Sequence, residues 1–279
     1  MKLVLFGFFR DALDIYDPLH GPLRHCEKYI YAPTLKHELK DSYVTSSCIH
    51  NKINNIKKLH LYDYTTVAPQ HEHVIKQMEQ SFGLPEFIGP KQLPVRTLSF
   101  FYNIRESLKL IPLGKMEDDE PIVLARADSN ITRIHRETID KLLVENDIIC
   151  TEFRGTSGKV QPKLPGGGRS VVDHVFVFKK SAVKCFIDLY DDVQSYLYDR
   201  YSIKTDRGVC VKHDMIPSNN LRKTIPEAIF WYHFHVKGLK PIVDPTTQPK
   251  YLAIHYTFCS HKNKQHFLNE IVQKNTQNN

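Results

Sequence analysis

Pro121-Ile122-Val123-Leu124-Ala125-Arg126-Ala127-Asp128-Ser129-Asn130 is the stretch that decides the fold of this chain. Four apolar residues run into Arg, Asp, Ser and Asn with two alanines interposed, directly after the acidic run Glu117-Asp118-Asp119-Glu120. A short apolar run bounded by polar residues is the pattern of a buried strand. A cation and a carboxylate two residues apart then fall at the carboxyl end of that strand. In open α/β sheets that edge is where ligands bind. The expectation is a core strand of an α/β sheet with Arg126 and Asp128 at a ligand edge. The same short spacing fits a strand-end ion pair that holds no ligand at least as well.

Working outward, Lys2 to Phe9 reads as a first strand. Its apolar run is too short for a signal peptide and is interrupted by Arg10-Asp11 before any small-residue cleavage site. The mostly polar stretch to about residue 55 contains Asp17-Pro18, Gly21-Pro22 and Ala32-Pro33 and reads as loop-rich with one helix at most. Lys58 to Tyr64 alternates and predicts a second strand. Glu72 to Phe82 predicts a helix stopped by Gly83 and Pro85. Apolar residues at 98, 101, 104, 108 and 111 predict a helix over Val95 to Leu110, closed by Pro112 and Gly114.

Beyond the opening stretch, Thr138 to Val144 predicts a short helix and Asp147 to Glu152 a buried strand. Gly155 to Arg169, with five glycines and two prolines, reads as a mobile loop, and loops of that length in compact domains tend to be functional. It leads into a strand at Val171 to Phe178. A helix capped by Ser181 follows, with apolar residues at 182, 186, 189, 193 and 197. Alternating strands and helices give the α/β class. With no repeat and no linker, residues 1–279 read as one domain.

Composition narrows the setting. At 279 residues the chain can bury a substantial core, and 41% apolar with 25% charged residues is ordinary for a soluble globular protein. No window approaches eighteen consecutive apolar residues, so no membrane span is expected. Six scattered cysteines without a C-x-x-C pair suit a reducing compartment, with neither disulfide framework nor zinc cluster. Cys150 and Cys185 sit in apolar segments, as buried thiols do. Asn130-Ile131-Thr132 is formally a glycosylation acceptor, a conflict that cytoplasmic residence removes. Net charge +7, from 38 basic and 31 acidic residues, favours anionic partners. Without a continuous arginine-rich stripe, nucleic acid is not the expected one, although a nucleic-acid-binding protein is a competing reading.

Several residue groups could carry chemistry. A carboxylate such as Asp128 at a strand end suits a divalent Mg²⁺ or Mn²⁺ ion that bridges phosphates, and Arg126 can neutralise phosphate charge or orient the carboxylate. Gly7 lets the backbone approach a ligand, and Arg10 can meet a diphosphate; a packing or turn glycine fits equally well. Asp173-His174 follows the Gly166-Gly167-Gly168 run, which suits a lid delivering a general base, or simply a turn aspartate. Of the 15 histidines most stand alone. His235 and His255 fall in late apolar segments from which an imidazole can reach a metal. Walker, G-x-S-x-G and H-E-x-x-H motifs are absent from the sequence.

In order, these segments resemble the GT-A nucleotide-sugar glycosyltransferases of bacterial surface-polysaccharide clusters and of large algal DNA viruses. The residues that carry the resemblance are Phe6-Gly7-Phe8-Phe9-Arg10, the helix before the strand ending Arg126-Ala127-Asp128, the strand Ile148 to Glu152, and Val172-Asp173-His174-Val175-Phe176-Val177-Phe178 with its following helix. It covers roughly residues 1–200. What it implies is a single GT-A-like, Rossmann-related domain with a central mixed, mostly parallel sheet flanked by helices. Residues 1–200 would be the nucleotide-sugar core and 201–279 the acceptor-side part. The implied enzyme moves a hexosyl or pentosyl group from a UDP- or GDP-sugar, UDP-xylose among them, to a glycan or glycoprotein acceptor, in the cytoplasm (the host's, if viral). A catalytically inactive glycan-binding relative is the other alternative.

The resemblance also assigns roles. Asp128 matches the last acid of the family's D-x-D-like motif, which holds Mn²⁺ or Mg²⁺ on the donor diphosphate. Arg126 stands where many of these enzymes carry the first aspartate, which leaves Asp128 as a single metal-binding acid. Gly7 and Arg10 would lie near the nucleotide, Asp173 would be the catalytic base, and a late histidine (His213, His235 or His255, with His235 preferred) would complete the metal site.

Overall fold

Strands β1 (Lys2–Phe6) and β6 (Ile122–Arg126) lie side by side and parallel, with Phe6 opposite Arg126. The computed structural model describes residues 1–10, 12–14, 23–37, 40–82, 93–151, 174–202, 229–230, 233–234, 236–243 and 253–258. On the other side of β1 come β2 (Glu27–Pro33) and then β5 (Ile56–Tyr62), both parallel to it. Beyond β6 the sheet continues through β9 (Val175–Phe178), β8 (Ile148–Cys150) and β10 (Pro241–Val243). Only β9 runs against its neighbours β6 and β8. The seven-stranded order is therefore β5-β2-β1-β6-β9-β8-β10. This is the α/β class expected, a mixed, mostly parallel sheet flanked by helices.

Side-chain alternation divides the core between two faces. Val4, Phe6, Ile122, Leu124, Phe176 and Phe178 face one layer. It is built by α3 (Leu93–Leu108), α5 (Val183–Ser202) and the segment 229–236, helical at its described residues. Leu3, Leu5, Val123, Ala125, Val175 and Val177 face the other layer, with α1 (Ser46–Lys52) and α4 (Arg136–Glu145). Both faces are covered, so the central strands are apolar on both sides over Leu3–Phe6, Ile122–Ala125 and Val175–Phe178. The first layer is aromatic at its centre. The Phe176 ring lies 5.5 Å from Phe186, 4.6 Å from Phe230 and 6.1 Å from Phe234.

Several sequence expectations are corrected. The stretch before residue 55, expected to be loop-rich with one helix, contains the central strand β2, together with β3 (Leu35–His37) and β4 (Lys40–Tyr43); α1 is the helix expected there. Pro33 misleads as a breaker: it ends β2, where proline is tolerated, and Thr34 supplies the next N–H to the Tyr62 carbonyl at 2.8 Å. Helix α2 (Tyr64–Phe82) starts well before Glu72 and carries Pro69 within it. Ser181 caps nothing. It lies inside a 3-10 turn, Lys180–Ala182, that leads into α5. Its apolar row is as expected, with Ala182, Phe186, Leu189 and Val193 all buried. The chain after Asp128 forms a further strand, β7 (Ser129–Ile134), paired antiparallel with β11 (Ile254–Phe258) outside the main sheet.

Cys26, Cys48, Cys150 and Cys185 are free thiols, and the last two are buried as expected. Among the described residues no helix is long and apolar enough to cross a membrane.

Candidate functional site

The chain leaves β1 toward β2 and β5 on one side and returns to β6 on the other, so the strand order reverses at the β1–β6 boundary. The carboxyl ends of two parallel neighbours that diverge in this way leave a crevice suited to a ligand. The sequence places Gly7 and Arg126 at the rim of that crevice.

Strand β1 stops because Gly7 turns left-handed, at φ 81°. Its N–H still donates to the Tyr31 carbonyl of β2 at 3.1 Å. A Cβ placed on Gly7 would meet no atom within 4 Å, so the backbone faces open space. Three residues on, Arg10 is also left-handed, at φ 50°. For a residue with a side chain that conformation costs about 1–2 kcal/mol. On the facing strand, the Arg126 N–H donates to the His174 carbonyl at 2.9 Å and the Ala127 N–H to the Phe6 carbonyl at 2.8 Å. These bonds fix the backbone of β6 between β1 and the start of β9.

Three charged side chains meet there. Arg126 forks onto Asp128, with Nε to Oδ1 at 3.0 Å and Nη2 to Oδ2 at 2.8 Å. Arg10 Nε reaches the same Oδ2 at 3.2 Å. Asp128 is 2% exposed, Arg126 17% and Arg10 34%. The carboxylate is thus the buried member, and the guanidiniums stand between it and solvent. A carboxylate accepting bidentate and additional charged donors is held in one orientation, and so are its donors. Among the described residues, two guanidiniums meet on one carboxylate.

His174 is held neutral, its pKa pushed down to about 2 by burial first and then by Arg126 and Arg10. At the same edge, Phe8 meets Tyr64 edge-on, with ring centroids 5.3 Å apart. Tyr64 opens α2 immediately after β5. The intervening Asp63 closes the helix start by accepting from the Thr65 N–H at 2.9 Å and the Thr65 hydroxyl at 2.7 Å. Those hydrogen bonds lower its pKa.

Four expected site residues, Gly7, Arg10, Arg126 and Asp128, are brought to one edge. Asp173, His213 and His235 lie outside the described residues, and so does the glycine-rich stretch from 155 to 169. His255 lies on β11, in register with Arg133 of β7. Sequence reasoning missed the parts played by His174 and Tyr64. The adjacency of Asp63-Tyr64 to a strand end was the available signal for Tyr64. His174 was seen only as the neighbour of Asp173.

The divalent ion implied by the family resemblance does not fit the described residues as they stand. Among them no group of three or more His, Cys, Asp and Glu side chains converges. Both oxygens of Asp128 already accept from guanidinium nitrogens. Mg²⁺ and Mn²⁺ require several hard oxygen ligands. An ion on that carboxylate would also face two guanidiniums, each repelling it by roughly 6–7 kcal/mol at ~5 Å and an effective dielectric of ~20.

No protein-family model matches the chain, and no curated protein matches it in sequence. Among solved structures it is similar to mouse xyloside xylosyltransferase 1 in the apo form. The TM-score is 0.44 and the identity 13%, over 87% of this chain and 83% of that one. A likeness of that strength decides neither fold nor function.

Proposed function

We propose that the protein is a glycosyltransferase that binds a UDP- or GDP-sugar at the β1–β6 crevice and transfers the sugar to a glycan acceptor. The observation that carries this reading is the cluster of Arg10, Asp128 and Arg126 at the carboxyl ends of two diverging parallel strands. A nucleoside diphosphate is the leaving group of such a transfer, and its developing charge needs preorganised cations. Arg10 and Arg126 are cations already oriented, in a partly buried place where their charge acts strongly. Gly7 leaves room for phosphate to approach the backbone. The Phe8 and Tyr64 rings stand at the same edge, where a base or ribose can lie against them.

Asp173 is our assignment for the base that deprotonates the acceptor hydroxyl, in agreement with the order of motifs along the chain. It adjoins His174, whose carbonyl accepts from Arg126. His174 is not the alternative base, because burial first, and then the two arginines, oppose its protonation.

The deciding experiment is a donor-hydrolysis screen across common UDP- and GDP-sugars, read by nucleoside-diphosphate release, with and without Mn²⁺. Release from one donor, lost in Arg126→Ala, is expected. Inertness toward every donor, together with salt-sensitive binding of DNA or RNA, would replace this reading with the nucleic-acid one. Binding of glycan without donor turnover would identify an inactive relative.

A further inference from the structure

We infer that the negative charge of the donor diphosphate is met by Arg10 and Arg126, held in place by Asp128, so that donor binding needs no divalent cation. This deepens the glycosyltransferase reading and rests on it. In the metal-centred alternative, Asp128 presents its oxygens to an ion. In this structure those oxygens point into guanidiniums: two N–H groups of Arg126 at 3.0 and 2.8 Å and Nε of Arg10 at 3.2 Å. With 2% exposure, the carboxylate has little open surface on which to receive an ion.

The arrangement suits an anion. A fork that spends Nε and Nη2 of Arg126 on Asp128 fixes the plane of the whole guanidinium, and a fixed plane recognises phosphate oxygens at small entropic cost. Arg10 is delivered by a backbone in the left-handed region, next to Gly7, whose missing side chain leaves the approach open. Among the described residues two guanidiniums converge on this one carboxylate. Asp128 is accordingly a positioning residue for two arginines, where the resemblance made it a metal ligand.

The test is calorimetric titration of the full chain with UDP and with GDP, each in EDTA and in MnCl₂, on wild type, Arg10→Ala and Arg126→Lys. The lysine variant keeps the charge and loses the fork, and circular dichroism reports whether each variant is folded. Expected is binding of one nucleotide in EDTA within about threefold of its affinity in Mn²⁺, weakened tenfold or more in both variants. Binding that vanishes in EDTA and returns with Mn²⁺ overturns the inference and leaves the nucleotide reading intact. Metal-free binding that both folded variants retain overturns it as well. No binding of either nucleotide in either buffer overturns the nucleotide reading itself.

Discussion

Replacing Asp128 by Asn removes a negative charge on which two guanidiniums converge, and leaves a neutral amide between them. Asp128 is 2% exposed, so the loss is felt in a partly desolvated place. Two unit charges ~5 Å apart repel by about 3 kcal/mol at an effective dielectric of ~20. Removing one partner of a buried ion pair costs about 3–5 kcal/mol in measured cases. Arg10 is 34% exposed and can swing outward, which relieves part of the repulsion. The expected loss is therefore about 2–3 kcal/mol at low ionic strength.

Urea unfolding at pH 7 in ~50 mM salt reads that loss as a lower midpoint at unchanged slope. Repeating it in ~1 M salt should recover part of the difference, since screening at that concentration acts over about 3 Å. Inorganic pyrophosphate should recover more, because an anion supplies the missing charge. Asp128→Asn within about 0.5 kcal/mol of wild type at low salt would refute the account of the cluster. So would a loss that salt and pyrophosphate leave untouched.

Acid should destabilise the fold through buried neutral histidines. His71 is fully buried, hydrogen-bonded through Nδ1 to the Tyr190 hydroxyl at 3.2 Å, and its pKa falls to about 4 from burial and the nearby Arg105. The unfolded chain takes up the proton below pH ~6.5 and the folded one does not. Stability is therefore full above that pH and declines as pH drops toward 4, by about 2 kcal/mol between pH 7 and 5 for this residue. Urea midpoints at the two pH values should lie closer together in His71→Gln than in wild type, the remaining gap coming from His174 and His233, whose pKa values are also lowered by burial. Phe176→Ala empties the centre of the aromatic layer and should cost about 3–5 kcal/mol in the same assay. Gly7→Ala meets no neighbour but must adopt φ 81°, so about 1 kcal/mol of stability should be lost. Nucleoside-diphosphate affinity should fall with it in calorimetry.

What the sequence revealed of this site follows from where its signals are local. Ile122 to Arg126 announces its strand because apolar and charged residues change over within one turn of chain. Gly7 announces the end of β1 for the same reason. The meeting of Arg10 with Asp128 is not local. It follows from the parallel register that sets Phe6 opposite Arg126, which no spacing along the chain encodes. Strand β2 was hidden by Pro33, since a terminal proline and a breaking proline look alike until the partner strand is known. Ser181 misled in the opposite direction, offering a capping side chain where a 3-10 turn leads into α5. The two-arginine cluster was legible as pieces and acquired its sense only when the long-range pairings were present.

The single reversed strand has a consequence for how such an edge can be altered. Because β9 runs against β8, the connection between them leaves the sheet and re-enters it at the same rim as the arginines. Its two ends are pinned to each other, with the Thr151 hydroxyl donating to the Val175 carbonyl at 2.9 Å. The framework thus holds both attachment points, Thr151 and His174, at one rim. Doubling the length of a connection costs only about 0.6 kcal/mol of chain entropy. The seven strands can therefore keep their order while the length of chain between Thr151 and His174 changes.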